Sequence, residues 1–450
     1  MSELPVVVVG AGPIGLAAAA ELRERGLTPV VFERGDSAGA AVAQWQHVRL
    51  FSPWSELVAP PARRLLEAAG WVSPQAQAYP TGQEWVSRYL VPLAAALGEQ
   101  VVHTKAEVIG VARRGRDRVV DAGRGSEPLT VHVRHGDGRE SRVAAQAVID
   151  ASGTWGSPNP LGGDGLPAIG EAAAAHAISY RVPDLDDPAV RARYAGAHTV
   201  VAGSGHSALT AIVALAGLAE SAPGTRITWV LRRGEIGDTF GGGEADQLPA
   251  RGALGLRAKR AVDAGLLRVV TGFRTAAVES AVGSGRVALV SEAGARVEEV
   301  DAVVAVTGFR PDLSWLSEVR LAVDPVLGAP VELALLIDPN VHSCGTVYPH
   351  GVAELTHPEP GMFLAGMKSY GRAPTFLAMT GFEQVRSLAA ALAGDHESAA
   401  RVELTLPETG VCGGAGVFDD PDAATSDSGG CCAATPELIT LGAPEARSRR

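Results

Sequence analysis

The chain has 450 residues, of which 46% are hydrophobic and 20% charged, more than one ordinary core holds and enough for two. Lys plus Arg number 39 against 50 for Asp plus Glu, giving a formal net charge of −11, and this acidic balance excludes nucleic acid and anionic lipid as main partners. Four cysteines make no disulfide framework, and no stretch reaches the roughly 20 uninterrupted apolar residues of a membrane helix, so a cytoplasmic protein without a membrane is expected.

The apolar start, Met1–Ala20, has no basic head and is broken by glycines, so it reads as strand and helix, not as a secretion signal. Pro5–Val9 is a buried strand, Ile14–Arg25 an alanine-rich helix that Gly26 ends, and Thr28–Phe32 the next strand of a parallel sheet. Between Gly35 and Leu97 the pattern loosens, with helices expected at Ala62–Ala69 and Gly82–Leu97. Three β-rich runs follow: Val101–Ala112, then Arg118–Val120 with Leu129–Arg134, then Arg142–Ile149. They suggest an antiparallel meander whose last strand returns to the main sheet. The Gly- and Pro-rich stretch 156–167 reads as a linker.

A second strand–helix–strand unit starts at His198, runs through Ser207–Leu218 to Thr225–Leu231, and closes with Asp301–Val306. Gly361–Gly366 is another buried run, followed by a helix over Thr375–Ala393, so the second unit is inserted into the first. The expected fold class is α/β, with two Rossmann-like units and a small antiparallel meander. The expected divisions are 1–160 and 315–406 for the outer unit, 161–314 for the inserted one and 407–450 for a flexible tail.

Each unit carries a glycine fingerprint directly after its first strand. The first is Gly10, Gly12 and Gly15, with Pro13 and Ile14 inside it; the second is Gly203 and Gly205, with His206, Ser207 and then Ala208. The first glycine permits a tight turn, the second lets a pyrophosphate approach the backbone, and the third lets helix and strand pack closely. The helix start then offers free amides and partial positive charge to phosphates. Glu33, 23 residues after Gly10, and its neighbour Arg34 stand at the end of the second strand. A carboxylate there accepts hydrogen bonds from ribose hydroxyls and repels a 2′-phosphate. At the matching place in the second unit stand Arg232 and Arg233, whose guanidinium groups suit a 2′-phosphate, so NADPH is expected. Gly153 and Gly308 end the last strands of the two units.

With both loops in place, the chain resembles the two-dinucleotide-binding-domain flavoproteins: flavin-containing monooxygenases, N-hydroxylating monooxygenases and thioredoxin-reductase-like enzymes. The resemblance spans about Pro5 to Gly394. It rests on Gly10–Gly15 with Glu33, Gly203–Ala208 with Arg232, the segment Thr307–Pro311, and the late strand Met362–Gly366. It implies FAD on the first loop and NADPH on the second, with Gly366 and Met367 closing over the flavin, Trp45 beside the isoalloxazine and Val108 among the cofactor-binding residues. The late strand ends Gly366-Met367 where the family often has Gly-Asp. Ile169, Gly170 and His176 match the monooxygenase signature only loosely, and the Cys-x-x-Cys of thioredoxin reductases is missing. There is also a resemblance to flavoprotein monooxygenases of bacterial arsenic-resistance clusters.

Other candidates remain open. Trp45 either stacks on a cofactor or packs in a core, and Arg49 is placed to favour an anionic reduced flavin. Lys368 and Arg372 lie at a strand's C-terminal end, where open α/β sheets bind ligands. Cys344 and His350 suit a soft metal or redox role, or a buried core. Cys412, Cys431 and Cys432 in the polar tail are possible thiophilic ligands. The expected activity is an NADPH-dependent FAD oxidoreductase acting on a small molecule with oxygen, through a flavin hydroperoxide that attacks a soft N, S or As nucleophile. A flavin reductase of a disulfide or other acceptor, and a flavin-bearing thiol or metalloid sensor, are the alternatives.

Overall fold

A computed structural model describes residues 4–404, apart from 247, 282, 284, 342–349, 374 and 375. Val6–Val9 (β1) is four valines, all buried, as a strand covered on both faces requires. In the Pro13–Glu24 helix, Pro13 stands at the first position, where its missing N–H costs nothing, and four alanines let the helix lie close to the sheet. Pro29–Phe32 (β2) pairs with β1 in parallel.

The expected helix Ala62–Ala69 is Pro60–Ala68. Gly82–Leu97 is one helical rod, started by a reciprocal cap between Thr81 and Glu84, but its middle, Val86–Leu90, is a π turn. Pro92 has no N–H for the Arg88 carbonyl, and Trp71 Nε1 donates to that carbonyl at 2.7 Å instead.

The expected run Val101–Ala112 is two strands with a corner at Lys105, whose φ is 52°. Val102–His103 (β3) joins the parallel sheet beside β2. Ala106–Arg113 (β4) opens the meander with Leu129–His135 (β5) and Glu140–Ala145 (β6). Arg118–Val120 is not a strand. Its backbone is pledged to side chains: Arg118 N–H donates to Glu318 at 3.1 Å, and Arg320 Nε donates to the Arg118 carbonyl at 2.8 Å. Gln146 N–H donates to the Pro5 carbonyl and divides the run Arg142–Ile149, so that Ala147–Asp150 (β7) returns to the main sheet beside β1.

The second sheet contains Ile178–Ser179 (β8), His198–Ala202 (β9), Arg226–Val230 (β10), Arg268–Val270 (β11) and, after a gap, Ala302–Ala305 (β15), in the order β11-β10-β9-β15-β8. The gap holds a second antiparallel meander that the sequence reading did not anticipate: Thr275–Ser280 (β12), Val287–Ser291 (β13) and Arg296–Val300 (β14). Met362–Leu364 (β16) then pairs in parallel with β7 and completes the first sheet, ordered β16-β7-β1-β2-β3. Arg113 and Arg124 both bind the buried carboxylate of Glu359, which anchors β4 and its following loop to the start of β16. The final long helix, Ala378–Leu392, packs on Pro13–Glu24. The fold is thus α/β, with two Rossmann-like units, the second lying between β7 and β16 of the first.

Candidate functional site

Each parallel sheet ends in a glycine cradle. In the first, Gly10 has a φ of 97°, and a Cβ there would meet the Ala151 carbonyl oxygen and Ser152 Cα at 3.0 Å. Gly12 caps the helix, and a Cβ on it would meet nothing within 4 Å. The space above the helix start is therefore open. The first turn carries no acidic side chain, so its amides face that space unopposed. Glu33, buried at the end of β2, accepts the Ala11 N–H at 2.8 Å on one oxygen and the Gly35 N–H at 2.7 Å on the other. Each carboxylate oxygen keeps a second lone pair for a hydroxyl donor. An open glycine floor, unopposed amides and a terminal carboxylate fit a dinucleotide with an unphosphorylated ribose.

The later part of the chain closes over this cradle. Ile14 lies against two glycines: a Cβ at Gly366 would come within 3.1 Å of its side chain, and one at Gly381 within 2.4 Å. Gly366 also donates its N–H to Gln384 at 2.8 Å, and Gln384 donates to Ser369 and to His350 at 2.9 Å each. His350 is thus part of a buried scaffold under Gly366. Its sequence companion Cys344 lies outside the described residues. Met367 is half-buried.

Lys368 is buried and fully engaged: its Nζ lies 2.7 Å from Asp150, 3.0 Å from Ser152 Oγ and 4.9 Å from the centre of the Trp315 ring. It braces the sheet edge; sequence reasoning singled it out but missed its carboxylate. Arg34 is exposed, with its guanidinium against Gly156. Trp45 packs half-buried against Gly82, and Arg49 donates to the Tyr79 carbonyl. Val108 is turned into the core between sheet and meander.

The second cradle repeats the first with opposite charge. Gly203, with a φ of 133°, would place a Cβ 2.3 Å from the Val306 carbonyl oxygen, and Trp229 donates to the Gly203 carbonyl at 2.8 Å from beneath. Gly205 caps the helix His206–Ser221 and again faces open space. His206, on the exposed start of that helix, meets Phe51 of the first unit edge-on at 5.2 Å; partial desolvation holds its pKa below the ordinary value, with the charge of Arg251 acting in the same direction. Ser207 follows on the exposed first turn. Beyond β10, Arg232 is exposed, with Nη1 3.4 Å from the Gly163 carbonyl, while the Arg233 carbonyl accepts the Gly272 N–H at 2.6 Å. Gly153 and Gly308 both have positive φ, 68° and 94°, at the ends of their units.

Cys412, Cys431 and Cys432 lie outside the described residues. Among the described residues no group of His, Cys, Asp and Glu could hold a metal ion, and no helix is long and apolar enough to cross a membrane.

Two such cradles on two parallel sheets define an oxidoreductase with two dinucleotide sites. The chain belongs to the pyridine nucleotide-disulphide oxidoreductase family, whose profile matches residues 7–331. It is accordingly an FAD-dependent oxidoreductase that works with a pyridine nucleotide. No curated protein matches the chain. Among solved structures it is similar to a bacillithiol disulfide reductase from Bacillus cereus, with a TM-score of 0.63 and 19% identity, covering 87% of this chain and 99% of that one. A flavin-containing monooxygenase from Stenotrophomonas maltophilia gives a TM-score of 0.53 at 24% identity, over 88% and 99%. An ornithine N-hydroxylase from Kutzneria sp. 744 gives 0.55 at 17%, over 88% and 100%. These likenesses bear on the fold.

Proposed function

We propose that the chain is an NADPH-dependent FAD monooxygenase that oxygenates a small, soft nucleophile at nitrogen, sulfur or trivalent arsenic. The contrast between Glu33 and Arg232 at matching strand ends carries the assignment of the two cofactors. FAD lies on Gly10, Gly12, Pro13 and Gly15, its ribose held by Glu33, with Ile14, Gly366 and Met367 closing over it. NADPH lies on Gly203 and Gly205 with His206 and Ser207 at the helix start, and Arg232 and Arg233 take its 2′-phosphate. Residues 1–160 and 315–406 form the FAD unit and 161–314 the NADPH unit.

Bound FAD supplies hydride acceptance and, once reduced, reactivity toward dioxygen. The protein's part is positional. The helix amides and Glu33 fix the adenosine and pyrophosphate, the second cradle aims the nicotinamide, and the Ile14–Gly366–Gly381 contact keeps bulk water from one side of the site. Dioxygen is favoured as acceptor because the sequence has no Cys-x-x-Cys through which electrons could pass to a dithiol partner. The test is isotopic: with NADPH, the substrate panel of thioethers, primary amines and arsenite should yield a product carrying one atom of label from ¹⁸O₂. Turnover of any of these without oxygen would overturn the reading.

The likeness to a bacillithiol disulfide reductase over 99% of that enzyme favours a second reading, direct reduction of a small external disulfide. Anaerobic NADPH oxidation by low-molecular-weight disulfides, with no label uptake in air, is its signature.

A further inference from the structure

The chain passes between the two sheets twice, after β7 on the way out and after β15 on the way back. The two crossings run antiparallel and touch at a bridge between Pro158 and Phe309. Every polar group of Asn159, on the outward crossing, is bound to the return crossing. Its N–H donates to the Gly308 carbonyl at 2.9 Å, and its carbonyl accepts from Thr307 Oγ1 at 2.7 Å. Its side-chain amide donates to the Thr307 carbonyl at 3.0 Å, and the amide oxygen accepts from Arg310 Nε at 2.8 Å. Arg310 then reaches on, with its N–H on the Ser157 carbonyl and Nη2 on the Gly165 carbonyl, both at 3.0 Å.

An aromatic stack backs the clasp. Trp155 lies 4.9 Å from Phe309, donates to Gln44 of the first unit at 3.0 Å, and carries Arg181 of the second unit over its ring at 5.6 Å. Further out, Phe51 meets His206, and His47 stands 3.7 Å from Asp184. A hinge concentrates its motion in a few residues with few contacts. These crossings are built in the opposite way: Asn159 spends both of its backbone polar groups and both of its side-chain polar groups across the gap.

We infer that Asn159 is a positioning residue for hydride transfer, and that the clasped crossings hold the two cradles at one working angle, so that electrons pass without reorientation of the units. This rests on the assignment of FAD and NADPH to the two cradles and is independent of which acceptor follows.

The test uses the full-length holoenzyme and its Asn159→Ala variant, with flavin bleaching by NADPH followed without oxygen. A misplacement of the reacting atoms by about 1 Å lowers the limiting reduction rate by about tenfold or more, while NADPH affinity stays within about twofold. Amide hydrogen exchange over 157–160 and 307–310 rises in the same variant, a readout that needs no turnover. Asn159→Asp keeps the acceptor for Arg310 but loses the donor to Thr307, and it recovers part of the rate. Thr307→Val removes a single clasp bond and slows reduction by roughly threefold; it carries the test should Asn159→Ala not fold. An unchanged limiting rate in a folded variant whose crossings exchange faster overturns the inference. Failure of the parent enzyme itself to be bleached by NADPH overturns the cofactor assignment instead.

Discussion

Gly15 lies so close beneath Gly10 that a Cβ on it would stand 1.9 Å from the Gly10 carbonyl oxygen, whereas Gly12, three residues away, faces open space. The two glycines of one loop therefore answer to different forces, packing and ligand. Gly15→Ala must push the helix off β1 and is expected to cost about 1–3 kcal/mol of stability. Gly12, with a φ of −80°, accepts alanine without strain, so Gly12→Ala should melt like the parent while binding FAD at least about tenfold more weakly. Thermal denaturation of apoprotein beside a flavin titration separates the two; full FAD affinity in Gly12→Ala would refute the cradle.

Arg232→Ala removes the exposed guanidinium beyond β10. Loss of a charge-assisted contact to a phosphate is worth about 1.5–3 kcal/mol, so kcat/KM for NADPH should fall by roughly 10- to 100-fold while that for NADH stays nearly level. Steady-state kinetics with both nucleotides reads the difference, and an equal loss with each would remove the 2′-phosphate from the account.

The pair Lys368–Asp150 is buried, at 2.7 Å. Lys368→Met leaves a carboxylate uncompensated and should destabilise the fold by about 3–5 kcal/mol. Adding Asp150→Asn removes the stranded charge and should restore much of that loss. Urea denaturation of the single variants and the double variant forms a cycle, and simple additivity would show that the pair does not act as a unit.

Burial holds the pKa of His357 down to about 4, with a ring nitrogen accepting the Ala322 N–H at 3.3 Å. The unfolded chain takes up its proton near the ordinary value of about 6.5, so the stabilisation is full above that pH and is lost as pH falls toward 4. Because the ring is only partly shielded, about 2 kcal/mol is the expected loss. Denaturant unfolding at pH 7.5 and 4.5 should show this decline in the parent and a flatter dependence in His357→Gln.

The elements that position both cradles were legible because each writes its function locally. Four valines before Gly10, or a carboxylate and a pair of guanidinium groups at matching strand ends, need no distant partner to be recognised. What escaped was set by distance in sequence. Lys368 drew notice for its charge, but Asp150 looked like an ordinary strand end until the fold set it beside that lysine. Asn159 was one polar residue of a linker, its partners Thr307 and Arg310 lying 148 and 151 positions on. Arg118–Val120 had strand-like residues, yet contacts with Glu318 and Arg320 claimed its backbone. The second meander was a plain miss: glycines, Gly283 and Gly285 and then Gly294, stand between its three short runs, a pattern open to the same reasoning that found the first.

The place of β16 beside β7 has a consequence during synthesis. Met362 pairs with Val148, and the Ala378–Leu392 helix covers the Pro13–Glu24 helix only after nearly the whole described chain has been made. At about 5–20 residues per second, the nascent chain waits roughly 10–50 s with the free edge of β7 and one flank of its first helix uncovered. The inserted unit, contiguous from β8 to β15, can close in that interval. The newborn protein can therefore complete its inserted unit first, and a ribosome that stops short of the last long helix releases a chain with one finished sheet and one open to aggregation.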